Sequence, residues 1–310
     1  MIIPDVWKGY IVKESTVQTS FWTSGILTDM TDQLMPQMGG TTVNMPFFND
    51  LANDEAIIDE TDIIVDKVGT GQDVSTILER VKAYGGTDLA ADLSGADPMP
   101  VIIGRLGAYW GRQMQKVLLS LTAGTMGSPS MSQNVYDITG LANGAGVFDG
   151  QAFIQAKYRL GDRASDLSCV AVHSDTMRLM EEQDLIDFIP PSEGGDPIPF
   201  YMGKRVIVND VMPVDGSGNY TSYLFGPGAV GYAEGAVPTP VEPWRDPLKA
   251  GGYTAIINRR KFALHIRGIK WVGTPAGPTA SNAELANPAN WQRVYDPKLI
   301  KIVAFKHKNA

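Results

Sequence analysis

The segment from His173 to Pro213 fixes the order of four local structures. Ser174 or Asp175 caps a helix along which Met177, Met180, Leu185 and Phe188 recur at near-helical spacing. Pro190-Pro191 ends that helix, because proline has no N–H for the ladder, and a loop follows through Gly194, Gly195 and Pro197. A short strand, a turn at Gly203 and a second strand, Arg205-Val206-Ile207-Val208, complete the unit before Asp210 and Pro213. This is a piece of an α/β layer without a catalytic pattern.

The rest of the chain puts long elements around that unit. Asp97 caps, Pro98 opens and Gly124 closes a helix whose stripe is Ile103, Leu106, Trp110, Met114, Val117 and Leu121. At 1.5 Å per residue it is a rod of about 40 Å. Gly104, Gly107 and Gly111 share a neighbouring face, where close approach of another backbone would offset their poor helix propensity. Residues 41–48 and the run STILERVKAYG make 41–96 a two-stranded excursion with too few large apolar residues for its own core. Residues 1–40 have scattered aromatics without periodicity and read as an arm that packs on something else. Residues 151–160 are a second helix, 254–272 are long strands bent at Gly268, and 299–305 are a last strand.

Charge is unevenly spread. Of a net charge of −8, residues 1–100 hold 5 Lys/Arg against 16 Asp/Glu, whereas 250–310 hold 10 against 2. The two regions either bind each other, within or between subunits, or are independently solvated. The candidate contact sets Asp54, Glu55, Asp59, Glu60 and Asp62 against Arg259, Arg260, Lys261, Arg267 and Lys270. An acidic chain with a single basic run, Arg259-Arg260-Lys261, is a poor binder of free nucleic acid.

Chemical motifs fail on their spacing. The histidines stand apart at 173, 265 and 307, and the lone Cys169 lies in the apolar run SCVAV, so neither a metal cluster nor a reactive thiol is indicated. Gly226-Pro227-Gly228-Ala229-Val230-Gly231 spells a dinucleotide fingerprint, but Pro227 interrupts it and no helix follows. There is no G-x-S-x-G elbow. The acids at 54–62 lack the glycine and bidentate glutamate of a calcium loop. We therefore expect neither an enzyme nor a bound cofactor or metal, and no uninterrupted apolar stretch is long enough to span a membrane.

The order of parts resembles the Hong Kong 97-like capsid fold of tailed-bacteriophage major capsid proteins. At residue level the resemblance is carried by Asp184–Pro213, with its G-x-x-V-x-V-x-D-x-M-P hairpin, and by Glu242-Pro243-Trp244-Arg245-Asp246-Pro247 followed by Gly251-Gly252. It implies an α+β chain with an arm (1–40), an extended loop (41–96), a peripheral domain with a spine helix (97–162), an axial domain (163–250), and return strands with a C-terminal strand (251–310). It also implies a virion shell of hexamers and pentamers around double-stranded DNA, assembled in the host cytoplasm. The partners implied are a portal and, since no charged helical extension precedes the fold, a separate scaffolding protein, with or without a decoration protein. An encapsulin-type bacterial compartment shell, which shares the fold, is the alternative.

Overall fold

The computed structural model describes residues 21, 24–34, 40–51, 67–95, 98–142, 144–184, 186–190, 197–249 and 251–309. After the buried Phe21 and Ile26 come β1 (Leu27–Asp29) and the single-turn α1 (Thr31–Leu34). β2 (Thr42–Phe48) and β3 (Thr70–Thr87) are antiparallel, and α2 (Asp88–Ser94) leads into the long α3 (Pro98–Gly127). The middle of the chain holds β4 (Val135–Asp137), α4 (Gly150–Lys157), β5 (Cys169–Val172), α5 (Ser174–Glu182), β6 (Ile186–Ile189), β7 (Ile198–Tyr201), β8 (Lys204–Val208) and β9 (Asn219–Phe225). The last third holds β10 (Val230–Gly235), β11 (Val241–Asp246), β12 (Tyr253–Ile266), β13 (Ile269–Trp271), α6 (Asn282–Leu285), β14 (Trp291–Arg293) and β15 (Ile302–Lys308).

Two large sheets organise most of these elements, and β13 pairs with β14 in a small third one. One runs β1-β10-β12-β3-β2, with β11 also on β12, and the other runs β4-β15-β9-β5-β8-β7-β6. Sheet membership therefore cuts across the sequence segments. β10 and β11 lie beside the return strand β12, while β15 is inserted into the seven-stranded sheet between β4 and β9. The apolar run SCVAV follows from β5 being covered on both faces. Val170 and Val172 join Val206, Leu224, Phe305 and the helical Phe153 in one core, and Cys169 and Ala171 join Ile207, Phe225 and the spine residues Met114 and Leu118 in the other. The Cys169 thiol is buried, and burial pushes its pKa up, so it packs as a small apolar group.

Several sequence expectations change. The helix opening at Pro98 runs to Gly127, about 45 Å for 30 residues. Gly124 is inside it, and the close backbone approach is there. A Cβ on Gly124 would sit 2.0 Å from the Leu285 carbonyl oxygen, whereas nothing lies within 4 Å of the positions a Cβ would take at Gly104 and Gly107. Ile103 is 57% exposed, and among the described residues the apolar stripe is fully buried only from Trp110 onward. The helix at Ser174 stops at Glu182, and its cap is the His173 ring, which accepts from the Asp175 N–H. Phe188 is on a strand: Ile186–Ile189 pairs with Ile198–Tyr201. The expected hairpin at Gly203 is present, with Met202 (φ 46°) and Gly203 (φ 74°) both left-handed, as a two-residue turn matching strand twist requires. Part of the arm packs on its own chain, since β1 lies parallel to β10 and Leu34 is buried. The inner half of β3 is also internal, with Ile77 and Leu78 in the core.

One buried histidine ties stability to pH. His307 lies against Phe148 and Phe305, and its Nε2 is 2.9 Å from Ser222 Oγ. Burial lowers its pKa from 6.5 to about 4. An unfolded chain takes up a proton below pH 6.5 that the folded chain refuses. Stability is therefore complete above that value and falls as pH drops toward 4, by about 3 kcal/mol in all. Urea unfolding of unassembled subunits at pH 7 and pH 4.5 should show this loss, and the His307→Phe variant should lose less over the same interval.

Candidate assembly surfaces

The basic return strand is built by alternation. Along β12, Phe262, Leu264 and Ile266 enter the core that holds the spine helix, and Ala263 faces the cluster with Leu34 and Ala233. Arg260 shares the spine-helix face, with its guanidinium 5.8 Å from the centre of the Trp110 ring and 3.7 Å from Glu234. Arg259 and Lys261 take the other face. Arg259 pairs with Glu242 at 2.9 Å, and Lys261, almost wholly buried, pairs with Glu79 at 2.9 Å. Arg267 donates to Gln33 at 3.2 Å. Lys270 lines a cleft of about 430 Å³ with Phe47, Asn49 and Gln72. Three of the five predicted cations thus have carboxylate partners in their own chain, and among the described residues Arg267 and Lys270 form no ion pair. Asp54, Glu55, Asp59, Glu60 and Asp62 lie outside the described residues.

A cleft of about 520 Å³ opens beside these cations, lined by Arg80, Arg259, Arg260 and Lys261 with Val81 and Pro238. Arg80 is held at its edge by the Ala280 carbonyl at 2.5 Å and Asn282 Oδ1 at 3.4 Å. Half-burial lowers the Arg80 pKa.

The second family-like segment is an internal clasp. β11 pairs antiparallel with β12, and Arg245 reaches both oxygens of Asp88 at the start of α2, at 3.2 and 2.5 Å. The Asp88 N–H donates to the Gly252 carbonyl at 2.9 Å. Gly252 has φ 120°, and a Cβ there would come within 2.2 Å of the Asp88 carboxylate, so the turn admits only glycine. The arginine and the glycine pair thereby fasten α2 to the return strand. This pairing of distant residues has no local sequence signal.

The same geometry holds no catalytic or cofactor constellation among the described residues. Gly226 and Gly228 are followed by β10, with no helix start to face a phosphate. Ser222 and His307 are in hydrogen-bond contact but are 1% and 0% exposed, and an imidazole titrating near 4 is a weak base at neutral pH. Among the described residues no group of three His, Cys, Asp or Glu side chains is placed to hold a metal. None of their helices is long and apolar enough to cross a membrane.

No family model matches the sequence. The major capsid protein of Bacillus phage SPP1 is 44% identical over 317 aligned positions, covering 99% of this chain and 97% of that protein. The chain belongs to the major capsid proteins of tailed phages. Solved capsid structures agree on the Hong Kong 97-like fold. A chain from Mycobacterium phage Che8 superposes with TM-score 0.62 at 12% identity, covering 98% of this chain and 97% of its own. The Cyanophage Pam1 capsid asymmetric unit gives 0.63 at 11% identity, covering 100% and 97%. The capsid of a native GTA particle gives 0.59 at 13% identity, covering 98% and 95%. A phage capsid relative at this identity decides against the encapsulin alternative. As a major capsid protein, the chain is a structural component of a multi-subunit virion shell.

Several large apolar side chains among the described residues are exposed. Leu89 and Leu93 of α2, Ile103 of α3, Trp244 of β11 and Leu248 are 43–94% exposed.

Proposed function

We propose that this capsid protein closes its shell as hexamers and pentamers around double-stranded DNA, guided by a separate scaffolding protein in the host cytoplasm and completed by a portal and decoration protein. The observation that supports this reading most is the near full-length identity to a tailed-phage capsid protein. The axial seven-stranded sheet would stand at the capsomer centres. The β2–β3 arm would lie over the peripheral sheet of the next subunit.

In this reading the acids at 54–62 meet the basic strand of a neighbouring copy. Arg267 and Lys270 are the better receptors, because Arg259, Arg260 and Lys261 already have Glu242, Glu234 and Glu79 beside them. A single exposed pair contributes only about 0.2–1 kcal/mol, and the Debye length is about 8 Å at physiological salt. Reversing one acid should therefore be tolerated. Reversing Asp54, Glu55, Asp59 and Glu60 to Lys should leave a folded subunit, by circular dichroism, that forms no shells at low salt in sedimentation and electron microscopy. Adding Arg267→Glu and Lys270→Glu should partly restore shells. Normal assembly of the acid-reversed chain would rule the charge contact out while leaving the shell reading intact.

A further inference from the structure

The spine helix carries its charges in one line and of one sign. Over Pro98–Gly127 the charged residues are Arg105, Arg112 and Lys116, with no Asp or Glu, although the whole chain has a net charge of −8. At about 100° per residue these three lie within about 40° of one another, and at 1.5 Å per residue they span about 16 Å. The far side of the helix is held in the core by Trp110, Met114, Val117 and Leu121, so the line is fixed on a buried rod.

The sheet widens this line into a patch. Tyr109 meets Tyr84 of β3 edge-on, with 5.4 Å between ring centres, and Lys82 Nζ lies 5.5 Å from the Tyr84 ring. Because side chains alternate along a strand, Lys82 shares the helix-facing side of β3 with Tyr84. Among the described residues Lys82, Arg112 and Lys116 form no ion pair, and β3 has no acid from Arg80 to Thr87. Beyond Ile103 the exposed positions of the helix are Gly104, Arg105, Gly107, Ala108, Lys116 and Gly127. A protein partner would need large apolar side chains to bury at the centre of its contact, and this row offers none. Small residues between cations instead admit a sugar–phosphate backbone closely.

We propose that the row from Arg105 to Lys116, with Lys82 beside it, faces the enclosed genome and holds duplex DNA by its phosphates without reading sequence. The inference rests on the shell reading above and assigns residues to the contact with DNA. A duplex presents one negative charge per about 1.7 Å of its axis, so it meets the row at any register. So few cations hold a free subunit only weakly, in keeping with the poor affinity of an acidic chain for free nucleic acid. A shell presents the row on every copy at once, and the weak contacts then act together.

Acetylation of lysine amines tests the assignment on the unaltered protein, in DNA-filled shells and in the same shells after their DNA is released. Lys82 and Lys116 should react several-fold faster in the emptied shells. Added NaCl should narrow the gap, because salt displaces amines from phosphate. Equal slow rates in both would show that another subunit covers the row, and equal fast rates that nothing does. Either result would overturn the proposal and leave the shell reading standing. Protection confined to scaffold-filled precursor shells would also overturn it, by giving the row to a protein partner. In shells of the Arg112→Gln/Lys116→Gln variant, the protection of Lys82 by DNA should weaken, and full protection there would count against the helix row. An unaltered chain that forms no DNA-filled shells would overturn both readings.

Discussion

Replacing Asp73 by alanine should lower the stability of the unassembled subunit by about 2–6 kcal/mol, two buried donors losing their acceptor at roughly 1–3 kcal/mol each. Asp73 is 2% exposed and sits where β3, β12 and the bend after β12 meet. Its Oδ2 accepts from His265 Nε2 at 2.9 Å and from the Gly268 N–H at 2.8 Å, and its Oδ1 from the Val74 N–H at 2.9 Å. The Gly268 bond fixes the bend itself, which needs φ 88°. Asp73→Asn keeps one carbonyl acceptor and should cost less. The denaturant midpoint should shift with little change in slope. A loss below 1 kcal/mol would mean that these donors find other partners.

The second large effect is expected at Gly124. A Cβ there meets the Leu285 carbonyl oxygen at 2.0 Å, the Trp291 ring nitrogen at 2.8 Å and the Ala286 carbonyl carbon at 3.0 Å. Two of these are backbone and cannot rotate away. The Leu285 oxygen also accepts the Trp291 Nε1–H at 2.8 Å, so any shift spoils a buried hydrogen bond. Overpacking of this kind costs about 1–3 kcal/mol or more, against a gain of roughly 1 kcal/mol in helix propensity. Gly124→Val should lower the melting temperature strongly and Gly124→Ala modestly. Gly107→Ala on the same helix meets open space and should raise it. Equal effects at the two glycines would show that propensity rather than packing decides.

Those two positions also show where sequence reading stops. The spine helix is legible because Trp110, Met114, Val117 and Leu121 recur along one side, a property of neighbouring residues alone. Its end is not. Gly124 looks like a terminator, and only the α6 backbone, some 160 residues later in sequence, explains why a glycine is needed inside the helix. The same limit applies at Phe188. The spacing after Met177 imitates a helix, but pairing with Ile198–Tyr201 decides the strand. Asp73 and His265 are 192 residues apart, and Asp88 and Arg245 are 157 apart, so neither pair has a local signature. The cationic strand was legible as composition. That most of its charges are matched within the chain was not, since register alone sets Lys261 opposite Glu79.

The unbroken course of β3 bears on how a finished container resists pressure from its contents. The strand runs for 18 residues, about 60 Å, first beside β2 and then beside β12. If an adjoining subunit holds the β2–β3 arm as proposed above, tension applied to it would enter along the strand axis. The bonds to β12, from Ile77–Ala263 to Thr87–Tyr253, lie across that axis. They are therefore loaded together in shear, like the stitches of a lap seam, rather than peeled one after another. Swelling of the container would stretch the whole seam before any single stitch could open.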